Sequence, residues 1–251
     1  MALMSYIFDF HTAKAYEQWA KRPEIKRTEA LEQRMMMDML DPMRGKFVLE
    51  VGCGSGSSLI PFIEKGLLVT GIDPSPYMLD IAQRQVGNRA DLHRGSGEDL
   101  PFEDNSFHYV CLNSTLEFVE DYELVIEEAC RVAKNKVYIG IMNRFAMKGY
   151  RKRINDVLSE NTRAQLQHFS VWKIKGILRR LLGDVPIDSR TICHFPVSLM
   201  WLFYRMEQSR LLQSCPFGAY AGIVASLVPR FKTRPLALEY LPERAVDPIP
   251  V

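Results

Sequence analysis

The chain has 251 residues, 47% of them hydrophobic, which suits one sizeable domain with additions. Its net charge of +2 calls for no polyanionic partner, and its five cysteines form no C-x-x-C pair, so reduced, mostly buried thiols in a cytoplasm are expected and zinc-ligand spacing is absent. No basic region followed by an apolar core opens the sequence, and no apolar run reaches ~18 residues, so neither a signal peptide nor a membrane span is expected.

Residues 1–45 precede the first strand and read as two helices. Thr12 is the expected cap of a short helix carrying Tyr16 and Trp19 at i and i+3. After Pro23 a longer helical pattern places Leu31, Met35 and Met39 at four-residue spacing. Lys46 to Asp73, KFVLEVGCGSGSSLIPFIEKGLLVTGID, then reads as strand, glycine turn, helix and strand. Phe47 to Val51 is the first strand, with Glu50 near its end. Gly52, Gly54 and Gly56 alternate through a tight turn that a ligand can approach closely. Ser57 and Ser58 are the expected caps of the helix, Pro61 suits its first turn and Gly66 closes it. Leu67 to Ile72 forms the second strand, with Asp73 at its tip.

Such a unit implies a right-handed crossover between parallel strands, with ligands at their carboxyl ends. A carboxylate about 20 residues beyond the glycines is the ribose-binding arrangement, which points to a nucleoside-containing cofactor. The dinucleotide fingerprint needs glycine at position 57, where Ser57 stands. Glu50, two residues before Gly52, is repelled by a pyrophosphate and suits an ammonium or a sulfonium. These features disfavour a nicotinamide-dependent oxidoreductase.

EVGCGSG followed by GID resembles the first two motifs of the class I S-adenosylmethionine-dependent methyltransferases, in particular the ubiquinone/menaquinone-methylase-like, methyltransferase type 11 group. The resemblance covers roughly Phe47 to Met142. It implies an α/β fold: a Rossmann-like, seven-stranded, mostly parallel, doubly wound sheet with an antiparallel last strand and added helices. It implies S-adenosylmethionine as cofactor and S-adenosylhomocysteine as product, held by Glu50, Gly52, Cys53, Gly54, Gly56 and Asp73. Pro74 or Met78 would pack against adenine. The first helix either packs on the sheet edge or lids the pocket, with His11, Tyr16 and Trp19 facing the ligand.

Beyond Asp73, Ser75 caps a helix with Pro76 at its first position and Met78, Ile81, Ala82 and Gln85 in its stripe. Leu92 to Arg94 is the third strand. Ser96, Gly97 and Glu98 match the family's adenine-edge turn, where Glu98 or Asp99 accepts from the exocyclic amine. Phe107 to Leu112 is the fourth strand, and Asn113 at its end matches a position near the methionine part of the cofactor. Two positions depart from the family pattern: His108 stands where aspartate is usual, and Phe118 where many members have histidine. His108, at the wrong end of its strand for chemistry, reads as structural. Tyr122 to Val132 is a helix and Lys136 to Met142 the fifth strand.

Residues 46–251 then form the methyltransferase domain, with helical insertions at about 145–169 and 197–214. The first insertion carries Lys148, Arg151, Lys152 and Arg153, a solvated face or an anion-attracting patch. Ser170 caps a helix with Ile174, Leu178, Leu181 and Leu182 on one side and Gly183 as its stop. Ile187 to Cys193 is the sixth strand, and Val197 to Leu212 opens as an apolar helix that either lids the substrate or packs on the core. The seventh strand lies in PFGAYAGIVASLVP, with Pro229 as its end, and a proline-rich, partly extended tail follows.

In methyl transfer the protein mainly aligns nucleophile, methyl carbon and sulfur. His11, Tyr16, Glu117 and Arg144 are the candidate catalytic groups at the pocket mouth. The leading expectation is a methyltransferase for a small-molecule acceptor, with nucleic acid disfavoured and the oligomeric state open. The alternatives are an RNA methyltransferase using the patch at 148–153 and a non-catalytic S-adenosylmethionine-binding protein.

Overall fold

The computed structural model describes residues 6–144, 166–195, 206–207 and 209–227. Two helices lead in: α1 (Phe10–Ala20) and α2 (Pro23–Leu40). Strand β1 (Phe47–Val51) runs into the glycine turn and α3 (Ile60–Glu64), and β2 (Leu68–Asp73) returns beside it. Then come α4 (Pro76–Val86), β3 (Asp91–Arg94), β4 (Phe107–Asn113), α5 (Tyr122–Val132) and β5 (Ala133–Met142). Helix α6 (Val171–Leu182), β6 (Ile187–Ile192), the short α7 (Arg210–Gln213) and β7 (Tyr220–Ser226) complete the described elements. They build one seven-stranded sheet in the order β3-β2-β1-β4-β5-β7-β6. β1 pairs in parallel with β2 and β4, β2 with β3, and β4 with β5, whereas β7 is antiparallel to both β5 and β6.

Both faces of the sheet are covered, so the central strands are mostly apolar, with Glu50 the buried exception in β1, and period two decides which side each residue serves. Leu49, Val51, Val110, Leu112, Val137 and Ile139 face α5 and α6. Val48, Tyr109, Cys111 and Tyr138 face α2 and α3, where Leu31, Met35, Met39 and Phe62 meet them. The five cysteines are free thiols. The strand order reverses between β1 and β4, and that switch point is where such sheets hold their ligand.

Several local expectations are corrected. The cap of α1 is Asp9, whose Oδ1 accepts from the Thr12 N–H at 2.8 Å; Thr12 lies inside the helix, which starts three residues earlier than expected. Ser57 and Ser58 cap nothing. Gly56 holds the cap position at φ 81°, a 3₁₀ turn over Ser57–Leu59 follows, and the Ser58 hydroxyl lowers the Glu50 carboxyl instead. β5 begins at Ala133, with no loop between it and α5, where Lys136 was expected. β6 stops at Ile192, because Cys193 takes φ 62° and turns its N–H to the Glu207 carboxylate at 2.9 Å. β7 is confined to Tyr220–Ser226. The basic cluster Lys148 to Arg153, residues 197–205 of the apolar segment, Pro229 and the proline-rich tail lie outside the described residues.

Candidate active site

The turn between β1 and α3 is shaped by glycines with left-handed backbones: Gly52 at φ 71°, Gly54 at φ 51° and Gly56 at φ 81°. A Cβ on Gly52 would stand 2.5 Å from Thr115 Cγ2, so a side chain there meets both backbone strain and a clash. The Gly52 and Cys53 N–H groups bond Ile72 O at 2.8 and 3.1 Å, which ties the turn to the end of β2. Asp73 finishes that attachment. Its Oδ2 accepts from Gly54 N–H and its Oδ1 from Ser75 N–H, both at 2.9 Å. Burial pushes this carboxyl up, and the two N–H donors pull it back down. Each oxygen keeps a second acceptor site, which is what a vicinal diol needs.

Above the turn lies a cavity of about 270 Å³. Its floor is Val51 to Ser55, Asp73, Pro74, Met78, Ser96 to Glu98 and Asn113 to Thr115. One side wall is α2, through Glu29, Glu32 and Gln33. The roof is aromatic: Tyr6 and Phe8 before α1, Tyr16 and Trp19 on it, and Phe118 after β4. The rings contact one another, Phe8 with Phe118 at 5.6 Å, Phe8 with Tyr16 at 5.9 Å and Tyr16 with Trp19 at 5.4 Å between centroids. Two hydrogen bonds fasten this roof: Tyr6 N–H donates to Phe118 O at 2.8 Å, and Ser75 Oγ donates to Phe8 O at 2.6 Å.

Of the residues expected from sequence, Gly52, Cys53, Gly54, Asp73, Pro74, Met78, Ser96, Gly97, Glu98, Asn113 and Tyr16 are brought together on this wall, and Trp19 with them. Glu98 is there and Asp99 is not; the Ser96 hydroxyl bonds Glu98. Asn113 is tied through Oδ1 to the Tyr220 hydroxyl. Gly56 lies behind the turn, packed on Ala82. His11 is exposed on α1 beside Phe10, and Arg144 is exposed past the end of β5; neither is part of the wall. His108 is structural, as expected: its Nδ1 accepts from Phe47 N–H at 3.2 Å and its ring stacks on Phe47.

Two expected carboxylates sit behind the wall. Glu50 is 1% exposed on the α2–α3 face, and burial pushes its carboxyl up to about 8; Ser58 lowers it and the Asp73 charge raises it further. Its Oε2 has no hydrogen-bond partner among the described residues. Glu117, also 1% exposed, accepts from Met142 N–H through Oε1 at 2.6 Å. Burial pushes it up to about 7, the Met142 N–H opposes this, and the charge of Glu32 adds to it. Its Oε2 likewise has no partner among the described residues.

The sequence did not announce Glu29, Glu32, Gln33, Thr115, Phe118 or Arg131 as site residues. Glu32 carried a signal: it is a carboxylate next to Leu31 on a face with Met35 and Met36, and it is buried. Arg131 on α5 clamps the loop that bears Ser96 to Glu98. It reaches both Glu128 oxygens at 2.7 and 2.8 Å, Asp104 at 2.9 Å, and the carbonyls of Phe102 and Leu100 at 2.8 and 3.0 Å.

Residues 49–141 match the family described as a methyltransferase domain. An uncharacterized protein of Methanocaldococcus jannaschii is 36% identical over 148 residues, 57% of this chain and 64% of that protein. A demethylmenaquinone methyltransferase of Oceanobacillus iheyensis is 34% identical over 125 residues, 46% of this chain and 52% of that enzyme. The chain thus spans between about half and under two thirds of the curated relatives it matches. Among solved structures, a Thermotoga maritima protein described as an S-adenosylmethionine-dependent methyltransferase, possibly a histamine N-methyltransferase, superposes with a TM-score of 0.61 at 22% identity, over 86% of this chain and 98% of that one. At that identity the likeness is one of fold.

Proposed function

We propose that this chain, which carries a class I S-adenosylmethionine-dependent methyltransferase domain, transfers the methyl group of S-adenosylmethionine to a small-molecule acceptor. The observation that carries the reading is the placing of Asp73. Its carboxylate sits at the tip of β2, buried, bonded to the glycine turn at 2.9 Å and turned to a cavity at the switch point. The cofactor fits the residues present. A Cβ on Gly54 would meet Met78 Cε at 3.3 Å and one on Gly97 would meet Val51 Cγ1 at 2.9 Å, so the cradle depends on glycine.

When bound, the cofactor supplies an electrophilic methyl group on a sulfonium. Asp73 would accept from the ribose hydroxyls, Glu98 and the Gly97 backbone would meet the adenine edge, and Met78 and Pro74 would pack on its face. Asn113, fixed by Tyr220, would meet the methionine end. The aromatic roof excludes water and holds the acceptor in line, the term from which most of the acceleration is expected. The similarity to a demethylmenaquinone methyltransferase supports a small acceptor. The cluster on which RNA recognition would rest lies outside the described residues. No described helix is long and apolar enough to cross a membrane.

Asp73→Ala tests the reading. Hydrogen bonds to a charged group contribute about 1.5–3 kcal/mol, so S-adenosylhomocysteine affinity measured by calorimetry is expected to fall by about ten- to a hundredfold. Equal affinity in the variant would sink the assignment. S-adenosylmethionine should raise the melting temperature of the parent protein and NAD should not, and turnover to S-adenosylhomocysteine with a pool of acceptors would remove the non-catalytic alternative.

A further inference from the structure

A chain of three polar side chains runs from the cavity wall into the core behind it. Asn113, at the end of β4, lines the cavity and is partly exposed. Tyr220 of β7 and Tyr138 of β5 are fully buried on the α2–α3 face of the sheet. The Tyr220 hydroxyl donates to Asn113 Oδ1 and stands 3.3 Å from the Tyr138 hydroxyl. To reach Asn113 it has to cross β5, and it does so over Gly140, the residue that pairs with Asn113. A Cβ on Gly140 would overlap the Tyr220 hydroxyl, and one on Gly222 would stand 2.7 Å from the Tyr138 hydroxyl. These two glycines pair with each other in the β5–β7 register, so together they open one slot for two phenol groups. Glycine inside a strand weakens it and marks a close approach, and here the close approach is this pair of hydroxyls. The entry to β7 is pinned as well: Asn143 Nδ2 donates to Pro216 O at 2.7 Å and to Gly218 O at 2.9 Å, just before Tyr220.

The chain has a direction. Tyr220 has one hydroxyl hydrogen and gives it to Asn113, so the Tyr138 hydroxyl donates to Tyr220. Burial pushes the Tyr138 hydroxyl well above its ordinary value, so it keeps the hydrogen that this role needs. An amide whose oxygen accepts on one side offers its nitrogen, a donor, on the other. Gln33, the other side-chain amide on the wall, spends its nitrogen on Ser57 O at 3.0 Å. No lysine, arginine or histidine lines the cavity among the described residues, so a carboxylate bound there would find only uncharged donors among them. Resting on the methyltransferase reading above, we propose that Tyr220, backed by Tyr138, is a positioning residue: it holds the Asn113 amide with its nitrogen toward the cavity, as a donor to the carboxylate at the methionine end of the cofactor. An amide that turned over would present oxygen instead, one acceptor facing another.

The test titrates the full chain calorimetrically with two ligands. S-adenosylhomocysteine carries the carboxylate; 5′-methylthioadenosine shares the nucleoside and the thioether and lacks the amino-acid end. Tyr220→Phe is expected to weaken S-adenosylhomocysteine about three- to tenfold, the contribution of one hydrogen bond, and to leave 5′-methylthioadenosine unchanged. Decarboxylated S-adenosylmethionine, which keeps the ammonium, should behave as 5′-methylthioadenosine does. Asn113→Ala should weaken S-adenosylhomocysteine about tenfold or more, and in that background Tyr220→Phe should add nothing. A merely structural tyrosine would lower the affinity of all the ligands alike. Unchanged S-adenosylhomocysteine affinity in Tyr220→Phe, a loss shared by either of the other compounds, or additive losses in the double variant would overturn the inference and leave the methyltransferase reading standing. Failure of the parent chain to bind S-adenosylhomocysteine would instead overturn that reading. Should Tyr220→Phe misfold, Tyr138→Phe decides the matter. Tyr220 can then accept from Asn113 Nδ2 as readily as it donates to Oδ1, so a loss confined to S-adenosylhomocysteine is expected, and unchanged affinity would overturn the inference.

Discussion

Glu50 sets a pH dependence that a single side chain can test. Alternation along β1 turns it to the α2–α3 face, where burial raises its carboxyl to about 8 in the folded chain. The unfolded carboxyl ionises near its ordinary value, about 4.3. Between those two values the folded protein holds a proton that the unfolded chain has released. Stability therefore falls as pH rises through that window and levels off above about 8. Glu50→Gln keeps the shape and removes the titration. Urea unfolding at pH 5 and pH 8 should show a flatter dependence, and a variant more stable than the parent at pH 8 by on the order of a few kcal/mol. Glu117, raised to about 7, adds a slope of the same sign that stops earlier, so Glu117→Gln serves as the companion measurement. An unchanged slope in both variants would show that these carboxyls are not held neutral.

At the scale of elements, the loop after β3 and the glycine turn are held by different means. The turn is attached through backbone bonds to β2 and through Asp73. The loop hangs on Arg131 of α5, whose planar fork suits simultaneous bonds to Glu128, Asp104 and two carbonyls. Its side chain is 31% exposed, so solvent discounts the ion pairs, while the carbonyl bonds remain. Arg131→Ala is expected to cost about 1–2 kcal/mol of stability and to weaken S-adenosylhomocysteine binding through the loosened Ser96–Glu98 loop. Arg131→Lys should restore little of either, because lysine lacks the fork. Unaltered binding in Arg131→Ala would show that the loop needs no clamp. This contribution was not legible in the sequence. Arg131 lies some distance along the chain from the loop it holds, and nothing in a single arginine at the end of a helix marks it as shared by five acceptors.

Across the whole molecule, legibility followed the range of the interactions. The crossover from Phe47 to Asp73 could be read from sequence because its parts are neighbours: glycines that need left-handed backbones, then a carboxylate at the next strand tip. The antiparallel last strand, β7, was read by way of family resemblance. What escaped depends on where distant segments meet. Glu29 and Glu32 become wall residues only because α2 crosses the turn. Phe118, a departure from the family pattern, gains its sense from Phe8 and Tyr6, which fold back over it. At chain ends and helix starts, competing local solutions decided: Asp9 against Thr12, and Gly56 at the cap position ahead of Ser57 and Ser58.

The chamber's roof contains its own optical reporter. The chain has three tryptophans, Trp19, Trp172 and Trp201, and Trp19 is packed on Tyr16 over the floor. With Trp172→Phe and Trp201→Phe combined, indole emission should come from Trp19 alone. Titration with S-adenosylhomocysteine should then change its intensity or wavelength along a saturable curve that tracks the calorimetric one. A flat signal at saturating ligand would mean that occupancy is felt elsewhere; a responsive one turns stopped-flow fluorescence into a direct clock for entry and release.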